Sequence, residues 1–171
     1  MKKCRLLFIL VLSISYGYAD PTPFAVGGFT ITQEVVLPVS PEAAFDMMTG
    51  DISGWWDHHF AENPKALYVE PKPGGGFYEI FDDKGNGAKH ATVILADRGK
   101  KLRYDGPLGL SGRAINDIVT YDYEKVEGGT KVTVTVNMSG QIDAYLAKRV
   151  EGVWHHFLVE QLKPYAEKMK K

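Results

Sequence analysis

QIDAYLAKRVEGVWHHFLVEQLKPYAEKM, residues Gln141–Met169, closes the chain and decides how the rest of it folds. Ile142, Tyr145, Leu146, Arg149, Val153, Trp154, Phe157, Leu158, Leu162 and Tyr165 recur at steps of three and four, which lays most of them along one helical stripe. Lys148, Glu151, Glu160, Lys163, Glu167 and Lys168 fall mainly on the opposite face. At 1.5 Å per residue such a helix runs roughly 40 Å. A stripe of that length must be buried against something, and nearly everything before it is strand-like. The expectation is a sheet wrapped around one helix, an arrangement that tends to leave a cavity.

The chain has 171 residues, enough for one domain, and 44% of them are hydrophobic, enough for a core. The first nineteen stand apart. Lys2, Lys3 and Arg5 form a basic start, Leu6 to Ile14 is an apolar run broken only by Ser13, and Gly17-Tyr18-Ala19 places small residues at both cleavage positions before Asp20. That is the layout of a secretory signal peptide, too short in its apolar run for a membrane span. The expected organisation is a signal peptide at 1–19, a linker at 20–28 and a domain at 29–171, with the mature protein secreted or periplasmic and not inserted in a membrane. Removal of the signal leaves 17 basic residues against 21 acidic ones, which argues against a nucleic-acid partner. It also removes Cys4, the only cysteine, and with it any disulfide, thiolate nucleophile or thiolate metal ligand.

After the linker, Phe29 to Leu37 reads as a strand whose inward parity is interrupted by Gln33. Ser40 before Pro41-Glu42 is a helix start: a hydroxyl cap, a proline in the first turn and an acid at the positive end of the dipole. Asp51 caps a second short segment through Trp56. Strands then follow at Ala66–Glu70, Phe77–Phe81, His90–Ala96, Lys101–Tyr104, Ala114–Lys125 and Lys131–Met138. Asp82 to Gly87 and Glu127-Gly128-Gly129 have the composition of hairpin turns. The predicted class is α+β: a curved antiparallel sheet of six to seven strands gripping the long C-terminal helix, with two short helices after the first strand.

Four places carry a family resemblance. They are PVSPEAAFDMM at Pro38–Met48, the Asp51 to Trp56 element with its paired tryptophans, Gly74-Gly75-Gly76-Phe77-Tyr78-Glu79, and Gly128-Gly129-Thr130-Lys131-Val132 followed by Gly152-Val153-Trp154. In this order and spacing the chain resembles the START-like or SRPBCC helix-grip superfamily. The likeness is strongest to the branch of polyketide cyclase-like proteins and homologues of the activator of heat-shock-protein-90 ATPase. It spans nearly all of Phe29 to Lys168. One departure is that Val153 splits the usual Gly-Trp pair. The resemblance implies a deep cavity between sheet and helix that receives apolar or amphipathic molecules. Carriers, cyclases and chaperone co-factors share the fold, so the fold does not fix the function.

Within that frame Trp55, Trp56, Tyr78, His90, Tyr104, Tyr121, Trp154 and Phe157 are the candidate ligand-contacting residues, although alternation turns only part of any strand inward. His90 and Asp117 are the candidates for acid–base chemistry. The histidines Asp57-His58-His59, His90 and His155-His156 match no metal-ligand spacing, and neither a metal nor another cofactor is expected. The apolar loop Pro107–Gly112 reads as either an ordinary turn or a lid at the cavity mouth. Three functions remain open: an exported binding protein for a small apolar, aromatic or lipid-like ligand, a cyclase- or hydrolase-like enzyme using a cavity His or Asp, and a protein-interaction co-factor module. The sequence gives no oligomeric state.

Overall fold

The computed structural model describes residues 22–169. The expected signal peptide and the first residues of the linker lie outside that range. Eight strands form one antiparallel sheet: β1 (Gly27–Leu37), β2 (Gly50–Asp51), β3 (Ala66–Val69), β4 (Gly76–Ile80), β5 (Gly87–Asp97), β6 (Lys101–Asp105), β7 (Ile115–Val126) and β8 (Gly129–Gly140). Their order is β1-β8-β7-β6-β5-β4-β3-β2, so β2 to β8 run as consecutive neighbours. β1 instead crosses to the far edge and pairs with β8 in register from Gly27–Gly140 to Leu37–Thr130. The sheet thus has one strand more than the upper expectation, the two-residue β2, and β1 begins two residues inside the expected linker.

Helix α1 (Pro41–Met47) follows β1, and the Ser40 hydroxyl accepts from the Ala43 amide at 3.2 Å as its cap. The expected second short helix is a turn. Asp51 Oδ1 accepts from both the Ser53 amide and hydroxyl at 2.9 and 2.7 Å, and the Trp55 and Trp56 amides fold back on the Ile52 carbonyl. The β7–β8 hairpin needs its glycines, because Gly128 has φ 85° and Gly129 φ 150°, conformations that side chains disfavour.

The closing helix runs unbroken over 26 residues, as α2 (Ala144–His155), a π-helical stretch (His156–Leu162) and α3 (Lys163–Met169). Asp143 caps it by accepting from the Leu146 amide at 2.7 Å. The widened stretch ends where the Lys163 amide reaches back to the Leu158 carbonyl, five residues away. The next residue is Pro164, which has no N–H for the α-helical ladder, so the change of register falls beside a residue that would break the ladder in any case.

The buried stripe of this helix is Leu146, Val150, Trp154, Phe157, Leu158, Leu162 and Ala166. It lies on the inward parity of the strands, including Leu37, Val93, Leu102, Val119, Val132, Val134 and Val136, all close to fully buried. Gln33, the polar interruption of β1, reaches across and donates to the Glu151 carbonyl at 2.8 Å, tying the edge strand to the helix. Among the described residues no helix is long and apolar enough to cross a membrane.

Candidate functional site

The sandwich of sheet and helix is hollow at one end. A cavity of about 340 Å³ lies between the first half of the long helix and the concave sheet, in the lower part of the range of small-molecule sites. The helix contributes Leu146, Arg149, Val150, Val153, Trp154 and Phe157, the sheet His90, Asp117 and Met138, and two loops close the rim with Trp56, His58, His59 and Phe60 and with Pro107 to Leu110 and Arg113.

Trp56 is the aromatic anchor. Its ring stacks on Phe157 at 3.9 Å and meets Trp154 edge-on at 6.4 Å, and its indole N–H donates to the His58 carbonyl at 2.8 Å. That bond fixes the ring while leaving its faces apolar, the usual role of a buried tryptophan.

Two buried polar groups of the sheet, His90 and Asp117, interrupt the apolar wall, and Glu79 stands behind His90. Glu79 lies on the inward parity of β4 and is fully buried. Its carboxylate accepts from the amides of Phe60 (2.8 and 2.9 Å) and Ala61 (2.8 Å), which pins the rim loop to the sheet. It also meets His90 Nε2 at 2.8 Å. A carboxylate only accepts, so Nε2 carries the proton and Nδ1 is the nitrogen left for another partner. Burial works to raise the Glu79 pKa, but the two amides and His90 outweigh it and hold the carboxyl below its ordinary range.

His90 owes its position to a β-bulge. Phe77 pairs with Ala91 and Tyr78 with Lys89, so His90 is the extra residue of β5, and it and Ala91 are both buried. Bulges commonly re-aim side chains beside functional sites.

Asp117 lines the cavity from β7, on the same parity as Val119, Tyr121 and Tyr123. It is 1% exposed, and its Oδ1 is the one buried side-chain polar atom without a hydrogen-bond partner among the described residues. Burial, helped by the charge of Asp105, pushes its pKa up to about 7. A carboxyl in that state gives or takes a proton readily near neutral pH.

The fold and this geometry can be set beside known proteins. The sequence profile of the family described as Activator of Hsp90 ATPase homolog 1-like protein matches residues 38–167. The chain belongs to that family. Solved structures of similar fold include an uncharacterized protein from Rhizobium leguminosarum (19% identity, covering 86% of this chain and 99% of that one, TM-score 0.63). A protein of unknown function from Staphylococcus aureus has 12% identity, with 85% and 97% covered and a TM-score of 0.59. An AHSA1-like protein from Rhizobium etli has 24% identity, with 82% of each chain covered and a TM-score of 0.53. These identities show the fold alone. No curated protein sequence matches the chain.

In this family member five of the residues singled out from the sequence come together on the cavity wall: Trp56, His90, Asp117, Trp154 and Phe157. Four do not. Trp55 is buried away from the cavity, its indole N–H on the Met47 carbonyl at 2.8 Å. Tyr78 lies on the outward parity of β4 against Tyr68 and Lys89. Tyr104 and Tyr121 are core residues, with Tyr121 edge-on to Trp154 at 6.0 Å.

Sequence reasoning missed Glu79 and the rim residues His58, His59, Phe60, Arg113 and Arg149. The signal for Glu79 was present, since an acid two residues from Phe77 shares its inward parity. Leu108, at the centre of the apolar rim loop, has φ 49°, a strained conformation for leucine. Outside the cavity wall, His156 on the π-helical stretch contacts Asp57 and Glu160, and these two carboxylates, Glu160 foremost, raise its pKa.

Proposed function

We propose that this chain is an exported carrier that holds a small apolar or aromatic molecule in the cavity under the long helix. The observation that carries the reading is the cavity itself: about 340 Å³, walled by Trp56, Trp154, Phe157, Val150 and Met138, with a few convergent polar groups at one side. The volume suits a ring system or a short acyl chain rather than a two-chain lipid. Asp117, with an oxygen lacking any partner in the protein, is the natural acceptor for a hydroxyl or amine on that molecule. Export rests on the layout of residues 1–19.

The test is a titration of the purified chain with the apolar-site dye anilinonaphthalene sulfonate, read by dye emission and by quenching of Trp56 and Trp154. One site is expected, and Val150→Trp, which fills the space, should abolish it. Native mass spectrometry of the chain as purified should show a co-purifying small molecule. Dye binding unchanged in Val150→Trp would remove the reading.

A second reading, catalysis, is favoured by one observation: a bulge-placed His90 backed by Glu79 shares the cavity with Asp117, a carboxyl with a pKa of about 7. Such a pair of titratable groups can divide the roles of acid and base. Conversion of a bound molecule that stops in Asp117→Asn would establish it. The chaperone co-factor role suggested by the family's name is less well supported. Of the large exposed apolar side chains among the described residues, Val36, Ile94, Tyr145, Val159 and Met169 sit on five separate elements, Phe60 is on the cavity rim, and only Phe24 and Val26 are neighbours along the chain; a signal peptide would also take the chain away from a cytosolic ATPase.

A further inference from the structure

At the rim of the cavity the Trp56–Phe60 loop meets the long helix in a cluster of charged and ring side chains that neither reading above uses. Asp57 Oδ1 lies 2.8 Å from His58 Nδ1, and Asp57 Oδ2 lies 2.7 Å from His156 Nε2. The far nitrogen of His156, Nδ1, is held by Glu160 Oε2 at 2.8 Å. Gln161 donates to Asp57 Oδ2 at 3.0 Å. One ligand-capable atom from each of Asp57, His58 and His156 falls within 4.8 Å of the others.

Two features of this cluster point to a cation. The first is the arrangement of the rings. Glu160 holds Nδ1 of His156, which turns Nε2 toward Asp57 Oδ2 at 2.7 Å, with the Gln161 amide nitrogen 3.3 Å from the same Nε2. The Asp57 carboxylate carries the second imidazole, His58, on its other oxygen. A carboxylate holding the outer nitrogen of a histidine whose inner nitrogen faces further ligands is the usual support of a metal-bound imidazole.

The second feature is the helix. In an α-helix the face-sharing neighbours are three and four residues apart. In the π-helical stretch, which begins at His156, the backbone hydrogen bonds reach back five residues. There His156 and Gln161, five apart, both reach Asp57. Local π-helical turns are rare and frequently mark functional sites.

We propose that Asp57, His58 and His156 bind a divalent transition-metal ion at the cavity rim, with Glu160 and Gln161 holding the ligands in place. Two imidazoles and one carboxylate suit zinc, cobalt, nickel or copper and disfavour magnesium and calcium, which take oxygen ligands. Zinc–ligand bonds of ~2.0–2.2 Å in a tetrahedron set donor atoms about 3.4 Å apart. The close contacts to Asp57 therefore open by about 0.6 Å as the ion enters. The side chains are free to do so, being 44% (Asp57), 51% (His58) and 28% (His156) exposed. Three protein ligands leave a coordination position for water or for a donor atom of a molecule in the cavity, whose wall includes His58.

The test uses the full chain without an affinity tag, stripped with chelator, and the metal alone. Zinc is titrated by calorimetry, and cobalt by the visible bands of its four-coordinate complex. One equivalent is expected, uncompeted by magnesium or calcium. His156→Ala and His58→Ala should each weaken binding at least ~100-fold, and Glu160→Gln about 10–100-fold with the stoichiometry kept. His155→Ala, exposed on the same helix, should leave binding unchanged.

A readout free of variants is the shift of the His58 and His156 ring resonances on adding zinc to the wild-type chain. Binding that survives His156→Ala, that falls equally in His155→Ala, or that leaves those two rings unshifted would overturn the assignment, as would no binding at one equivalent. No cavity ligand enters the titration, so its failure would leave the carrier reading intact.

Discussion

Replacing Asp117 by asparagine should make this protein more stable, and only above mildly acidic pH. The ordinary aspartate value is 3.8, while the folded chain holds Asp117 at about 7. Because the folded value is the higher one, the fold favours the protonated carboxyl. That contribution is complete below about pH 4, is lost as pH rises toward 7, and stays lost above it. At ~1.4 kcal/mol per pH unit, the interval is worth roughly 4 kcal/mol. Asparagine has the same shape and does not titrate. The stability difference between variant and wild type should therefore grow by roughly 4 kcal/mol between about pH 4 and about pH 8. At ~2–4 °C per kcal/mol for a chain of this size, Tm should diverge by about 8–16 °C. The assay is thermal unfolding of both proteins by circular dichroism in steps across that range. Other carboxylates titrate in both proteins and cancel in the difference, and so does any fixed effect of the amide. A difference equal at both ends of the range would refute the account of Asp117 as a carboxyl kept in an unsuitable place.

Two further outcomes test other parts of the site. Glu79→Ala strips the partner from His90 and from the Phe60 and Ala61 amides at once, and should cost roughly 3–5 kcal/mol in urea unfolding. It should also loosen the rim loop, seen as faster amide exchange at Phe60 and Ala61. Leu108→Gly relieves the strained φ of 49° but adds chain entropy, so stability should move by less than ~1 kcal/mol. The same change removes an apolar wall of the cavity and should weaken dye binding about tenfold, with apolar burial worth ~1.5–3 kcal/mol for a whole leucine side chain. An unchanged dye affinity would show that the 107–112 loop is an ordinary turn.

What could be read from the sequence was the set of features fixed within a few residues of chain. The stripe from Leu146 to Leu162 depends on helical spacing, the Ser40 cap on one hydroxyl, and the β7–β8 hairpin on Gly128 and Gly129. What could not be read depends on pairing between distant segments. Phe77 and Tyr78 are adjacent aromatics on one strand, so one must face out, and composition alone does not say which. Trp55 and Trp56 are both buried, inside a turn where no period applies, so spacing does not say which of them lines the cavity. His90 faces the cavity wall through a bulge that exists only in register with β4. The meeting of Asp57 with His156 spans 99 residues, and no local spacing rule for metal ligands can register it. Pro164 was the one local hint that the long helix would not keep a single period.

The position of the cavity follows from the same accounting of polar groups. Toward the second half of the long helix the buried side chains are mainly apolar, and Leu158, Leu162 and Ala166 are buried to 1% exposure or less. Toward the first half the inward parities of β4, β5 and β7 carry Glu79, His90 and Asp117. Covering such groups with hydrocarbon costs ~1–3 kcal/mol for each one left unpaired, so close packing is favoured at the apolar end and opposed at the polar one. Glu79 and His90 answer each other. Asp117 answers nothing in the protein, and a valine there would extend the apolar row already formed by Val119. A chain that keeps a buried acid on the core-facing row of a central strand gives up stability at that point. That loss is intelligible if the missing partner is a molecule that enters the cavity, and it makes Asp117 the residue where stability and function should pull in opposite directions.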